Sequence, residues 1–277
     1  MTEGGACLAR KWKRSAMGAI LAIANQKGGV GKTTTAVNLA ASLSATRNSV
    51  LLIDIDPQGN ATMGCGVAKY GLESTVCELL MGETDFDRAL VKEVDDGFDL
   101  LPANGDLVAA EIWLMENGRL DVRLRELLTP VRDAYDFIII DCPPSLNILT
   151  INALTAADGL VIPLQCEYYA LEGLSALVET IEAIRSRSNP NLKIEGIVRT
   201  MYDSRNKLTA EVNAQLFRFF GNAVYRTVVP RNVKLAEAPS FGKAALSYEH
   251  RSKGAIAYLA LAGELLRRRD RAAVGAT

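Results

Sequence analysis

The sequence predicts a doubly wound α/β fold, a mostly parallel sheet flanked by helices. Three observations carry the prediction. Ala19-Ile20-Leu21-Ala22-Ile23, Val50-Leu51-Leu52-Ile53 and Phe137-Ile138-Ile139-Ile140 are short, continuous apolar runs, the pattern of strands buried on both faces. Helical patterns separate such runs along the chain, and strand alternating with helix gives parallel pairing through crossovers. Each of the three runs leads into a glycine loop or an aspartate, at the carboxyl edge where open α/β sheets bind their ligands.

The elements follow in order. Residues 1–17 have no periodic pattern and read as a disordered extension. Two alternatives stand beside that reading: a start placed ahead of Met17, or a basic DNA-binding arm through Arg10, Lys11, Lys13 and Arg14. Residues 18–270 read as one domain, and 271–277 as a flexible tail. After the first strand and its glycine loop comes a helix beginning near Lys32, then a strand over 50–56 and a switch-like loop over 57–71, rich in small residues. Short helical pieces fall at 76–81 and 86–91, a strand at 98–102, and a long polar helical stretch at 105–133 that Gly118 interrupts. Strands at 137–140, 159–164, 194–200 and 225–229 alternate with helices at 146–156, 172–187 and 207–220. A last helix at 253–269 carries an apolar face through Ile256, Leu259, Ala260, Leu265 and Leu266. The length of 277 residues and 49% hydrophobic content suit one α/β domain with a sizeable core. No apolar stretch reaches the ~20 residues that a membrane span requires.

The glycine loop carries the chemistry. Lys27-Gly28-Gly29-Val30-Gly31-Lys32-Thr33-Thr34 stands between strand and helix. Backbone N–H groups of such a loop wrap phosphates, and the helix N-terminus adds its positive dipole end. Lys32 then reaches the β- and γ-phosphates, and the Thr33 hydroxyl holds Mg²⁺. The usual spacing, G-x-x-x-x-G-K-[ST], fails at its first glycine, which is Gln26 here. What stands instead is K-G-G-x-G-K-T, with a second lysine, Lys27, at the loop's start. Asp54-Ile55-Asp56-Pro57-Gln58-Gly59 and Asp141-Cys142-Pro143-Pro144 bring further carboxylates to strand ends beside the loop.

With Gln165-Cys166-Glu167-Tyr168-Tyr169-Ala170-Leu171-Glu172-Gly173 and the stretch Val229-Pro230-Arg231-Asn232-Val233-Lys234, these motifs resemble the ParA/Soj proteins that partition chromosomes and plasmids. That family lies within the ParA/MinD ATPases with a deviant Walker A phosphate loop, and the resemblance runs over about residues 18–266. It implies a P-loop NTPase that binds ATP and ADP through Lys27, Gly28, Gly29, Val30, Gly31, Lys32, Thr33 and Thr34, with base contacts from the backbone around Pro230 and Asn232. It implies Mg²⁺ held by Thr33 and, through water, by Asp141, with Asp56 as a further water-mediated contact. It implies hydrolysis, slow without the stimulating partner, by Lys27, Lys32 and Asp56: Asp56 aligns the attacking water, and Lys27 crosses to the partner's nucleotide in an ATP-bound homodimer. For Asp56 the alternative is a cap on the Asp-Pro turn, and Asp54 reads as a supporting group. The implied partners are nonspecific duplex DNA and a centromere-binding protein of ParB type that stimulates hydrolysis, in a cytoplasmic, nucleoid-associated protein with no membrane attachment.

Charge distribution bears on the DNA expectation. The net charge is −1, yet residues 197–277 hold 14 Lys and Arg against 6 Asp and Glu. Such asymmetry allows a basic face on an acidic body. The candidate DNA contacts are Arg205, Lys234, Lys243, Arg251 and Lys253; the resemblance places DNA-binding arginines in this region, and Lys234 stands where an arginine is often found.

Two other function classes are weighed. A membrane-cycling ATPase of MinD type needs a bulky apolar face on a C-terminal amphipathic helix, whereas this chain ends in Arg267, Arg268, Arg269 and Arg271 among small residues. An amide-forming enzyme on the same fold needs additional catalytic groups, and no such set is visible. The five cysteines lack metal-ligand spacing, and Cys142 and Cys166 read as reduced core residues. His250 reads as a surface residue, and Tyr168 and Tyr169 as packing residues.

Overall fold

The computed structural model describes residues 18–94, 96–118 and 121–274. Seven strands, β1 (Ala19–Ile23), β2 (Val50–Asp54), β3 (Asp99–Leu101), β4 (Phe137–Asp141), β5 (Gly159–Gln165), β6 (Lys193–Tyr202) and β7 (Val224–Pro230), form one sheet in the order β3-β2-β4-β1-β5-β6-β7. Every neighbouring pair is parallel. The order reverses direction around β1, so a crevice opens at the carboxyl end of that strand.

The continuous apolar runs have a two-sided explanation. Ile20, Ala22, Leu51, Ile53, Ile138 and Ile140 enter one core. Their alternating neighbours Leu21, Ile23, Val50, Leu52, Phe137 and Ile139 enter the other. A strand whose side chains serve both faces cannot show the apolar–polar alternation of a half-buried strand. Between β1 and β3 lie α1 (Lys32–Ala45), α2 (Asn60–Gly64), α3 (Val76–Met81) and α4 (Phe86–Ala89). Then come α5 (Leu107–Glu116), α6 (Arg123–Leu128), α7 (Ile148–Ala156), α8 (Ala170–Arg187) and α9 (Lys207–Phe220). After β7 the chain forms α10 (Val233–Glu237), α11 (Ala245–Tyr248) and α12 (Lys253–Val274).

Three local readings change. The switch-like loop contains the short helix α2, and the 105–133 stretch divides into α5, α6 and a 3-10 turn at Arg132–Ala134, with the break at Gly118 as expected. The last helix runs to Val274, so residues 271–274 of the expected tail are helical. The expected N-terminal extension 1–17 and residues 275–277 lie outside the described residues.

One close backbone crossing matters later. Gly66, just after α2, meets Gly242, just before α11, with both residues at positive φ. A Cβ on Gly242 would lie 2.4 Å from the Cα of Gly66, and one on Gly66 would lie 2.9 Å from the carbonyl oxygen of Gly242. Only two glycines allow this approach.

Candidate functional site

The site is built where β1 hands over to α1. Gly29 and Gly31 take φ of 73° and 88°, left-handed turns that glycine allows and that lead into α1. No acidic side chain occupies the first turn of α1, so its positive end is uncompensated. A Cβ on Gly28 or Gly29 would meet nothing within 4 Å, so a cradle lies open beside the loop. Distant residues hold the loop in shape. Asn25 accepts the Lys27 N–H at 2.9 Å and donates to the Pro163 carbonyl of β5 at 2.8 Å. The Thr200 hydroxyl at the end of β6 donates to the Val30 carbonyl at 2.7 Å. Thr35 meets the Tyr258 hydroxyl of α12 at 3.0 Å, which fixes the first turn of α1.

Lys32 is buried, 7% exposed, and its ammonium donates to the Lys27 carbonyl at 3.0 Å. Burial lowers its pKa, while Asp141, Cys142 and Asp56 pull it upward. Asp54 and Asp141 are register partners on adjacent strands. Their tasks differ. Asp54 accepts the Thr62 N–H and hydroxyl, both at 2.8 Å, and the Asp56 N–H at 3.1 Å. It thereby ties both Asp56 and α2 to the strand end. Burial pushes its carboxyl up to about 6.

Asp56 is also buried. Its Oδ1 accepts the Gln58 N–H at 3.0 Å and its carbonyl accepts the Gly59 N–H at 2.8 Å, so it does cap the turn. Capping occupies Oδ1 alone, and the carboxylate is close enough to act electrostatically on both Lys32 and Asp141.

Asp141 is the unusual group. Both carboxylate oxygens are buried, and neither has a hydrogen-bond partner of ordinary geometry among the described residues. Burial and the Asp54 carboxylate push it well above the usual range, against the pull of the Thr33 hydroxyl and Lys32. An orphaned buried carboxylate is costly without a cation. Among the described residues no cluster of three or more His, Cys, Asp or Glu forms a metal cage. Mg²⁺ needs none, since one or two carboxylates plus substrate phosphates commonly hold it. Asp141 beside Thr33 fits that requirement.

Lys27 is turned back onto its own chain, where it pairs with Glu167 at 2.5 Å. Both side chains remain nearly half exposed. The sequence offered no signal for this partner. Tyr168 and Tyr169, expected to pack, are 74% and 66% exposed and meet edge to face. They follow a strand end and point away from both cores. Pro230 ends β7 as the register partner of Tyr202, and Asn232 caps α10 by accepting the Lys234 N–H at 3.1 Å.

The basic candidates lie on the segments leaving the carboxyl ends of β6 and β7, which are adjacent. Arg205 is exposed and forks onto Asp203 at 2.9 and 2.8 Å, drawing that carboxyl down to about 2. Lys234 pairs with Glu237 at 2.8 Å and lies over the Tyr248 ring. Arg251 and Lys253 are exposed and Lys243 partly so; none of the three forms an ion pair among the described residues. Cys65, Cys77, Cys142 and Cys166 are buried and unpaired, and His250 is exposed.

Known proteins are similar to this chain. A family model described as an AAA domain matches residues 18–194. The chromosome partitioning protein ParA of Caulobacter vibrioides is 51% identical over 93% of this chain and 97% of its own length. The sporulation initiation inhibitor Soj of Bacillus subtilis is 51% identical over 90% of this chain and 98% of its own. The chain belongs to the ParA/Soj family of partitioning ATPases. Its fold also matches a crystal structure from Mycobacterium smegmatis, named a cobyrinic acid a,c-diamide synthase and holding ADP and magnesium. That match has TM-score 0.79 and 38% identity over 92% of this chain and 96% of the other. Family membership thus agrees with the glycine loop and the three strand-end carboxylates. Thr200 and Glu167 are distant in sequence, and only the tertiary contacts bring them to the loop.

Proposed function

We propose that this ParA/Soj-family chain binds Mg²⁺·ATP in its glycine loop, closes into a homodimer, binds duplex DNA without sequence preference, and is reset by hydrolysis that a ParB-type partner stimulates. The observation that carries the reading is the orphaned Asp141 carboxylate, set against Lys32 and Thr33 at the mouth of an open glycine cradle. Phosphoryl transfer asks mainly for positioning and charge stabilisation. Lys32 supplies charge at the β/γ-phosphates, Asp56 aligns water, and Asp54 holds Asp56 in place. Thr33 and Asp141 would hold Mg²⁺, which neutralises charge on the phosphate oxygens when bound. Pro230 and Asn232 lie on the segment proposed to meet the base. The decisive experiment is analytical sizing with ATP, with and without DNA, on wild type and Asp56→Ala. A monomer under all conditions would overturn the reading.

In this dimer Lys27 exchanges Glu167 for the partner's γ-phosphate. A half-exposed ion pair contributes only ~0–1 kcal/mol, so release is cheap. Lys27→Ala should keep nucleotide binding as a monomer and lose hydrolysis by about 10³–10⁵, the scale of a charge supplied in trans. Mixing it with a variant defective in its own nucleotide site should give turnover that departs from simple dilution. Turnover that follows dilution alone would refute the trans role.

Arg205 and Lys234 would exchange their exposed carboxylate partners for DNA phosphates. Arg205→Ala and Lys234→Ala should each weaken binding to all sequences equally and flatten the salt dependence by ~0.9 in log–log slope per lost phosphate contact. Retention of DNA across a salt series, with ATP, ADP and no nucleotide, measures this. Equal binding in the three states would contradict nucleotide control. The membrane-cycling alternative gains nothing from α12, which exposes Ile256 and Leu259 near its start and arginines at its end. No described helix is long and apolar enough to cross a membrane.

A further inference from the structure

The amino edge of the sheet carries a second basic surface. An open cleft of about 1700 Å³ lies between the starts of β6 and β7 and the last turns of α12. Two of its acids are already engaged. Glu264 accepts the N–H groups of Arg226 and Thr227 and pairs with Arg268 at 2.7 Å, while Glu195 pairs with Arg269 at 3.4 Å. Arg268 also donates to the Asn222 and Val224 carbonyls and stacks 4.1 Å from the Tyr225 ring centre. Arg268 and Arg269 are therefore part of the wall. Lys193, Arg226, Arg267 and Arg271 line the same cleft, are exposed, and have no ion-pair partner among the described residues. Against these four cations stands one exposed acid, Asp270.

We propose that this cleft binds the phosphate backbone of a second DNA duplex, on the sheet edge opposite the basic segments that follow β6 and β7. Guanidinium groups fork onto phosphate oxygens, and three of the four unpaired cations are arginines. Arg267 and Arg271 lie four residues apart on one face of α12, a rise of ~6 Å. One DNA strand carries a phosphate every ~3.4 Å of helix axis, so the pair spans about two phosphate steps. The apolar lining is Ile194, Phe217, Ala223, Val224 and Ala272, with Phe217 lying against the Arg199 guanidinium. The choice of DNA rests on the partitioning function proposed above; the charge arrangement does not. A chain with basic surfaces on both edges can join two duplexes.

The test uses the full chain with ATP and random-sequence duplex, one copy on beads and a second, fluorescent copy in solution. Wild type should carry the fluorescent duplex onto the beads. Arg226→Glu/Arg267→Glu/Arg271→Glu should lose that capture and flatten the salt dependence by about 2–3 in log–log slope, at ~0.9 per phosphate contact. Arg226→Lys/Arg267→Lys/Arg271→Lys should keep both. If the reversed charges unfold the chain, Arg226→Gln/Arg267→Gln/Arg271→Gln is read by the same criteria. Arg205→Ala/Lys234→Ala separates the two DNA faces. Loss of capture in the cleft variant alone leaves the cleft standing and removes the face after β6 and β7. Unchanged capture and slope in the cleft variant overturn the proposal. So does a variant that loses binding to phosphatidylglycerol vesicles while its DNA binding is intact.

Discussion

Lys32→Ala is expected to lose ATP and ADP binding by about 10²–10⁴-fold, and with it ATP-dependent dimer formation and hydrolysis together. The magnitude follows from two charge-assisted hydrogen bonds to phosphate, ~1.5–3 kcal/mol each, at ~1.4 kcal/mol per tenfold. The structure adds a second reason. Lys32 is buried, bonded to the loop and opposes the charge of Asp141, so its removal leaves that orphaned carboxylate with less opposing charge. Calorimetric titration with Mg²⁺·ADP and sizing with ATP measure both effects. Normal affinity, or a normal ATP dimer, would show that the loop does not use this lysine.

Asp56→Ala is expected to separate binding from turnover. ATP should bind and the dimer accumulate, while steady-state phosphate release falls by about 10²–10⁴, the range of a positioned group that handles the proton or aligns water. The turn itself should survive. Asp54 still holds Thr62 through two bonds, and the Gly59 N–H still has the backbone carbonyl of residue 56. The expected structural cost is one lost cap at Gln58, about 1 kcal/mol. A thermal midpoint near wild type combined with slow turnover supports the water-aligning role. Unchanged turnover refutes it and leaves Asp56 as a turn cap alone.

Much of the fold and part of the candidate site are legible in the sequence because their determinants are local. A strand, a glycine loop and a helix are consecutive, and Asp54, Asp56 and Asp141 terminate apolar runs whose strand character is plain. The supports are not local. Asn25 reaches Pro163, Lys27 reaches Glu167, and Val30 receives Thr200 across a separation of 170 residues. No periodicity or propensity reports such a contact; only sheet order, which sets β5 beside β1 and β6 beside β5, creates it. The small helices α2, α10 and α11 are four or five residues long, too short for an apolar period to develop. The exposure of Tyr168 and Tyr169 escaped for a related reason. Aromatic side chains after a strand end look like packing residues until the chain's path shows no core beneath them.

The crossing of Gly66 and Gly242 has a mechanical consequence. Two backbones this close, with no side chain between them, form a joint with almost no slack. α2 is moored to the end of β2 by Asp54, and the turn at Gly242 leads from Lys234 into α11, itself tied to α1 by the Ala245 N–H on Asn38 at 2.8 Å. A displacement of the segment after Asp56 must therefore carry the basic segment with it or prise the joint open. The glycine crossing thus couples the strand-end turn to the basic segment through backbone stiffness.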